Sequence, residues 1–363
     1  MRVMFDCYWW FEGPPSNRHV LRDIVTTWST EYPQDELAGV FYENNRNELA
    51  KGGDFPGVYY WTRLRPHGLG VALGSGAALR DFQPCVYIGQ NFTPILKNPA
   101  VKLTYIHDLM FLEHPEWFSF VERAYFRGMS LTARFTDSIV TSSESEAKRI
   151  ARHVSRPVDA VGLGLSSELT EITPTKSVAM RLGLVADSFI LAVGRLNKRE
   201  NLGRAIDAAR ASGLVCKDFP LVVVGERDGR QSQLSESARE GIDRNEILFT
   251  GYIGDSELTW LYKNTRALVF VSFDEGFGMP PVEAAFFGTK SVVSDIPVFR
   301  ETLQDNAVFV NPNNVQDISR GIRQVCDQPA MPIEPSWWQS KHSWEVSVSR
   351  IRHLAMTLAQ ERR

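Results

Sequence analysis

The chain has 363 residues, 43% hydrophobic and 23% charged, with a formal net charge of -3. That length favours two domains with full cores, and the near-neutral balance gives no reason to expect nucleic acid as a main partner. Cys7, Cys85, Cys216 and Cys326 show neither zinc nor disulfide-framework spacing, no apolar run approaches the roughly 18 residues of a spanning helix, and Met1–Cys7 runs into a strand pattern rather than a signal peptide. A cytoplasmic protein with reduced thiols is expected, with peripheral contact at the inner membrane face left open.

From the N-terminus, strands are expected at Val3–Cys7, Ala38–Tyr42, Val58–Trp61, Cys85–Ile88, Leu103–Ile106 and Ile139–Thr141, with helices near 17–31, 118–134 and 143–153. The loop Phe11–Asn17 follows the first strand and carries Gly13, with Ser16 as a candidate N-cap. Such a Gly-Pro loop either approaches a ligand closely or only turns the chain. Tyr105–Leu109 ends a buried strand on His107 and Asp108, readable as a functional pair or as a structural His–Asp contact. The aromatic-basic stretch Trp117–Arg127 reads as core packing with snorkelling arginines, ahead of a membrane face. Val161–Ser166 lacks the third glycine of a dinucleotide fingerprint and reads as a chain turn.

The second half alternates strand and helix regularly. Ser166–Asp187, with its Ser, Thr and Pro, is the linker expected between the halves. Strands follow at Ser188–Gly194, Leu221–Gly225, Ile247–Gly251, Ala267–Ser272 and Lys290–Asp295, with an amphipathic helix at Asn201–Ala211 and a late one at Ser343–Gln360. This is the pattern of doubly wound parallel sheets with helices on both faces. The expected organisation is a Rossmann-like domain over 1–165, a linker over 166–187, a second such domain over 188–340, and a terminal helix over 341–363 packing back on the first.

Two loops carry the chemistry. The first, Val193–Leu202, places Arg195, Lys198 and Arg199 between a strand and a helix, where fixed cations and free backbone N–H groups would suit a diphosphate. A solvated basic loop is the alternative. The second runs from Phe273 to Ala285 and holds Glu275 and Glu283 eight residues apart. Pro280 and Pro281 sit where a helix can begin, so one carboxylate follows a strand and the other rides the next helix. Ionised carboxylates are acceptors only and suit sugar hydroxyls; a paired acid–base site of the glycoside-hydrolysis kind is the competing interpretation. His114 follows His107 by seven residues, but the histidines show no zinc spacing and no D-x-D run occurs, so no metal is expected.

These residues together resemble the retaining nucleotide-sugar glycosyltransferases of family 4, with the GT-B fold. The resemblance is close over 188–312, through Gly251–Ile253, Asp255–Leu258, the E-G-F-G-x-P run from Glu275 to Glu283, and Ser294–Glu301. It is weaker at Ile106–Leu109, Pro115–Phe118 and Thr141–Ser145. It implies two Rossmann-like domains facing each other across a donor and acceptor cleft. It also implies that Glu283 holds the donor ribose, that Glu275 and the N–H groups of Gly276, Phe277 and Gly278 hold the sugar hydroxyls, and that Arg195 holds the diphosphate. By the same resemblance His107 lies near the transferred sugar, Gly13 near the phosphates, and Tyr252 and Ile253 near the base. One departure is Glu200, where the family carries lysine: a carboxylate repels a diphosphate, so Lys198 or Arg199 must supply the second cation or leaving-group stabilisation is weakened.

The expected function is metal-independent, retaining transfer of a hexose from a nucleotide-diphosphate sugar, GDP-mannose-like by preference, to a glycan or lipid-linked glycan. No cofactor is expected beyond the donor itself. A sugar-nucleotide epimerase or a phosphorylase on the same fold, and a non-catalytic sugar-nucleotide-binding protein, are the rivals.

Overall fold

A computed structural model of the chain describes residues 1–49, 55–166, 171–225, 234–328 and 340–362, together with Leu169 and Trp338. The chain divides into two compact units, Met1–Ser166 with His342–Arg363, and Ser167–Lys341.

In the first unit the strands are β1 (Arg2–Asp6), β2 (Glu36–Tyr42), β3 (Val58–Thr62), β4 (Val86–Gln90), β5 (Val101–Tyr105), β6 (Ser138–Thr141) and β7 (Val158–Ala160). They form one parallel sheet in the order β3-β2-β1-β4-β5-β6-β7. Central strands β4 and β5 are buried along their whole length, as a parallel sheet covered on both faces requires. One face packs Met4, Ala38, Tyr87 and Ile139 against Val71, Leu79, Phe111 and Met129 of the covering helices. The last helix, Trp344–Glu361, lies on the helix Pro15–Glu31, and Arg352 clamps it at 2.8 Å to the buried Asp35.

The second unit has β8 (Ile190–Val193), β9 (Leu221–Val224), β10 (Ile247–Gly251), β11 (Ala267–Phe270), β12 (Ser291–Ser294) and β13 (Ala307–Val310), all parallel, in the order β10-β9-β8-β11-β12-β13. Its core joins Ile190, Val223 and Val269 of the sheet to Ile206, Ala209, Ile318 and Ile322 of two helices.

Several expectations are corrected. Most of the stretch 166–187 is not a free linker. Within it the helix Ser177–Leu182 packs on the helix Asp255–Asn264, Ser177 donates to Glu257 at 2.6 Å, and the Thr175 N–H donates to Ser256 O at 3.0 Å. Residues 167, 168 and 170 of that stretch lie outside the described residues. Ser16 is not an N-cap: the helix starts at Pro15, whose fixed φ and missing N–H suit the first position, so Ser16 falls inside the first turn. Strands β7 and β13 were not anticipated. In the stretch Trp117–Arg127, Tyr125 and Phe126 pack on the core, but Phe120 and Val121 do not.

Candidate active site

Each sheet has one point where the strand order reverses, between β1 and β4 in the first unit and between β8 and β11 in the second. Loops leaving the C-terminal ends of the two strands there diverge and open a crevice, the usual ligand position in such sheets. Gly13, Arg195, Lys198, Arg199, Glu275, Gly276, Phe277 and Gly278 fall on the loops at those two points; Glu283 rides the helix that follows the β11 loop, His107 follows β5, one strand beyond β4, and Tyr252 and Ile253 follow β10.

In the second unit the loop after β8 and the loop after β11 are tied together. Phe273 N–H donates to Arg199 O at 2.8 Å, and Asn201 Nδ2 donates to Val271 O at 2.9 Å and to Pro312 O at 2.8 Å. Arg199 then reaches across, its Nη1 3.3 Å from Glu275 Oε2 and its Nη2 3.5 Å from Glu200 Oε1. Arg195 and Lys198 are exposed on the same loop. The structure therefore brings Arg199, Glu200 and Glu275 into one cluster.

Glu200 folds this loop. Its carboxylate accepts from the backbone N–H of Arg195 and, at 2.9 Å, from Asn197 Nδ2, while its own N–H donates to Asn197 Oδ1 at 2.8 Å. Asn197 N–H is bonded in turn to Arg195 O at 2.8 Å. The free N–H groups expected here are thus partly consumed, which corrects that element of the sequence reading. An incoming anion must be met by side chains more than by this loop's backbone.

Glu275 and Glu283 occupy different surroundings. After Gly278 the chain enters the helix Met279–Phe286 with prolines in its first turn. Gly278 has φ +83, and any side chain there would run into the Phe299 ring. Only glycine meets both conditions. Glu283, one turn further on, accepts a hydrogen bond at 2.9 Å from Tyr262 of the helix Asp255–Asn264. Burial pushes its carboxyl up to about 7 against the pull of the Tyr262 bond, with Asp255 adding to the rise. Tyr252 and Ile253 follow β10, two strands from β8, on the same C-terminal edge of the sheet. The Tyr252 ring is almost wholly exposed and Ile253 is buried.

In the first unit, Asp6 ends β1 and Gln90 ends β4. Asp6 Oδ2 accepts from Gln90 N–H at 3.2 Å and lies 2.8 Å from His67 Nε2; its other oxygen accepts from Tyr8 N–H at 3.1 Å. His107 Nε2 is 2.9 Å from Gln90 Oε1, and the His107 N–H donates to Asn91 Oδ1 at 3.0 Å. Burial lowers the His107 pKa to about 3, the neighbouring His67 adding to the effect, so the ring is neutral at ordinary pH. The anticipated His–Asp contact is replaced by this His107–Gln90 pair. Asp108 instead accepts from Met110 N–H at 3.2 Å. Gly13, at φ +121, packs against the Trp9 ring, which leaves no room for a side chain.

Sequence reading missed Asp6, His67, Gln90 and Tyr262. A polar residue closing an apolar strand is a usable signal for Asp6 and Gln90. His67 and Tyr262 carry none, because their partners come from elsewhere in the chain.

Two α/β units with parallel sheets, each with a polar cluster at its switch point, define two Rossmann-like domains of the GT-B fold. Residues 184–336, which lie within the second unit, match the model of the family described as Glycosyl transferases group 1. The chain is 28% identical over 256 residues to the O-antigen chain mannosyltransferase B of Escherichia coli, covering 68% of this chain and 66% of that one. It thus spans about two thirds or less of the length of the curated relatives in this group. Among solved structures, a glycosyltransferase from Rickettsia africae superposes with a TM-score of 0.72 at 13% identity, over 98% of this chain and 97% of its own. Anabaena HepE, solved with UDP-glucose, gives a TM-score of 0.63 at 15% identity, over 100% and 98%.

Among the described residues no helix is long and apolar enough to cross a membrane.

Proposed function

We propose that the protein is a retaining glycosyltransferase that moves a hexose from a nucleotide-diphosphate sugar to a glycan or lipid-linked glycan. The observation that carries this is the Arg199 guanidinium set between Glu200 and Glu275 at the second unit's switch point, beside exposed Arg195 and Lys198. Breaking the anomeric C–O bond leaves positive charge on the sugar and negative charge on the departing diphosphate. Arg195 and Arg199 meet the second charge, with Lys198 at longer range. Three cations make a metal ion unnecessary to the proposal.

Glu275 accepts from hydroxyls of the sugar, with the backbone of Gly276, Phe277 and Gly278 beside it, and Glu283 accepts from the ribose. Tyr252 and Ile253 are assigned the base, Gly13 the phosphates, and His107 the transferred sugar. His107 is neutral, so it offers a hydrogen bond without adding charge. No carboxylate is assigned the role of covalent nucleophile. Retention follows from front-face displacement, the leaving phosphate oxygen taking the acceptor proton.

Mannose as the sugar is supported by the mannosyltransferase among the relatives; GDP as its carrier is the preference that the sequence resemblance gives. An acceptor carrying a lipid sits in a bilayer, so the proposal includes peripheral contact with the inner membrane face. The test is transfer from labelled GDP-, UDP- and dTDP-sugars to a cell-envelope glycolipid fraction, with the product anomer read by NMR. A labelled product of the donor's own anomeric configuration is expected. Inverted product, donor epimerised without acceptor, or turnover only with inorganic phosphate would replace the proposal.

A further inference from the structure

The helix Phe120–Ala133 begins with a capping box, Ser119 accepting from Glu122 N–H and Glu122 accepting from Ser119 N–H. Its inner side is fixed by Tyr125, Phe126, Met129 and Ala133, which join the core of the first unit. Its outer side is the surprise. Phe120 is 78% exposed, Val121 75% and Leu131 60%, and Phe135 just beyond the helix end is 38% exposed. Arg127 and Arg134, both exposed, fall between these at helical spacing, so apolar and cationic side chains share one stripe.

Large side chains scattered singly over a surface need no explanation, but three on the outer side of one helix and a fourth just past its end do. Charge indicates what covers them. The helix contains one acidic residue, Glu122, and its carboxylate is engaged with Ser119 N and Oγ at 2.7 Å each. The Arg134 guanidinium lies 5.0 Å over the Phe135 ring. Phe135 also lines an open cavity of about 570 Å³ with Lys97, beside Lys102, whose Nζ donates to the Pro94 and Leu96 carbonyls at 2.8 Å each, and Arg362, which is paired with Asp137. Apolar side chains beside the exposed Arg127 and Arg134 match the boundary between acyl chains and anionic headgroups.

We propose that this stripe docks the first unit on an anionic phospholipid bilayer, with Phe120, Val121, Leu131 and Phe135 entering the headgroup layer and Arg127 and Arg134 meeting lipid phosphates. It deepens the lipid-linked acceptor part of the proposed function and rests on that part for its purpose, although docking itself is measurable without turnover.

The test is sedimentation of the full chain with vesicles of phosphatidylcholine alone or phosphatidylcholine mixed with phosphatidylglycerol. The wild type is expected to pellet with the mixed vesicles, less so as salt rises, and not with phosphatidylcholine alone. Phe120→Ser with Val121→Ser, and separately Arg127→Glu with Arg134→Glu, are each expected to weaken binding at least about tenfold. All four positions are exposed, so melting temperature and nucleotide-sugar binding should stay unchanged. Failure of the wild type to pellet with mixed vesicles, or full binding by both variants, would overturn the proposal. So would a wild-type dimer that the Phe120→Ser, Val121→Ser variant dissolves without any vesicle binding, since a second copy would then cover the stripe. Lost vesicle binding with intact donor binding counts against this surface alone. The reverse counts against the proposed function alone.

Discussion

Arg199 and Glu275 are 76 residues apart in sequence, and their side chains meet at 3.3 Å where the loops after β8 and β11 converge. The pair is partly solvated, with 31% of the Arg199 side chain and 11% of the Glu275 side chain exposed. Such a pair contributes at most about 1 kcal/mol. It is therefore weak enough to exchange for a diphosphate, which would leave Glu275 to a sugar hydroxyl. Lys198, more exposed, has no comparable position. In the proposed function the second cation, left open by Glu200, is therefore assigned to Arg199.

Arg199→Ala should raise the donor dissociation constant about 10- to 100-fold, the loss of one or two charge-assisted hydrogen bonds. Lys198→Ala should change it only a few-fold. Folding stability should move by less than about 1 kcal/mol in either variant. Calorimetric titration beside chemical denaturation separates the two effects.

Glu283 and His107 give opposite pH dependences. The Glu283 carboxyl is raised from 4.5 to about 7, so its contribution to stability is present below pH 4.5 and is lost as pH rises towards 7. The His107 pKa falls from 6.5 to about 3, so its contribution is present above pH 6.5 and is lost as pH falls towards 3. Between about pH 4.5 and 6.5 the two slopes oppose one another. Glu283→Gln should remove the first, leaving stability that rises with pH across that window. Under the proposed role of the ionised Glu283 carboxylate in holding the ribose, donor affinity should also rise with pH through about 7. That rise should vanish in Glu283→Gln.

Glu200→Ala should cost about 1–3 kcal/mol in urea denaturation, because it leaves the Arg195 N–H and Asn197 without their acceptor. Glu200→Lys should be no better folded than Glu200→Ala, despite adding a cation beside the diphosphate site. A Glu200→Lys protein as stable as the wild type would show that the loop does not depend on this carboxylate.

Gly278→Ala should destabilise by about 2–5 kcal/mol. A left-handed conformation costs a residue with a Cβ about 1–2 kcal/mol, and displacing the Phe299 ring adds about 1–3. Gly251→Ala is the comparison: φ is +70, yet nothing lies within 4 Å of the new Cβ. Only the conformational part, about 1–2 kcal/mol, should appear there.

The strands that position the site were legible because each is a buried apolar run closed by a turn, as in β8 and β11. β7 was not, since it has three residues at a sheet edge with Asp159 exposed in the middle. β13 is also an edge strand and only Val310 in it is fully buried. The cationic loop and the two glutamates could be found from spacing within a short segment. Their partners could not. Tyr262 meets Glu283 only once two helices pack, and Gln90 meets His107 only once β4 and β5 pair. Glu200 shows the limit most clearly. Its charge, read along the sequence, suggested repulsion of a phosphate; its hydrogen bonds show that it shapes the loop holding Arg195 and Arg199. Phe120 and Val121 mislead in the other direction, because aromatic and branched residues in a helix usually face the core.

The central claim is that the second unit's switch point holds a nucleoside diphosphate through Arg195 and Arg199. Calorimetric titration of the wild type and an Arg195→Ala, Arg199→Ala variant with GDP, UDP and dTDP, each beside its monophosphate, tests it most directly. One diphosphate should bind the wild type well ahead of its monophosphate, and the double variant should lose that advantage while keeping its fold. A folded wild type that binds none of the three diphosphates, or a double variant that keeps the full preference, would contradict the account.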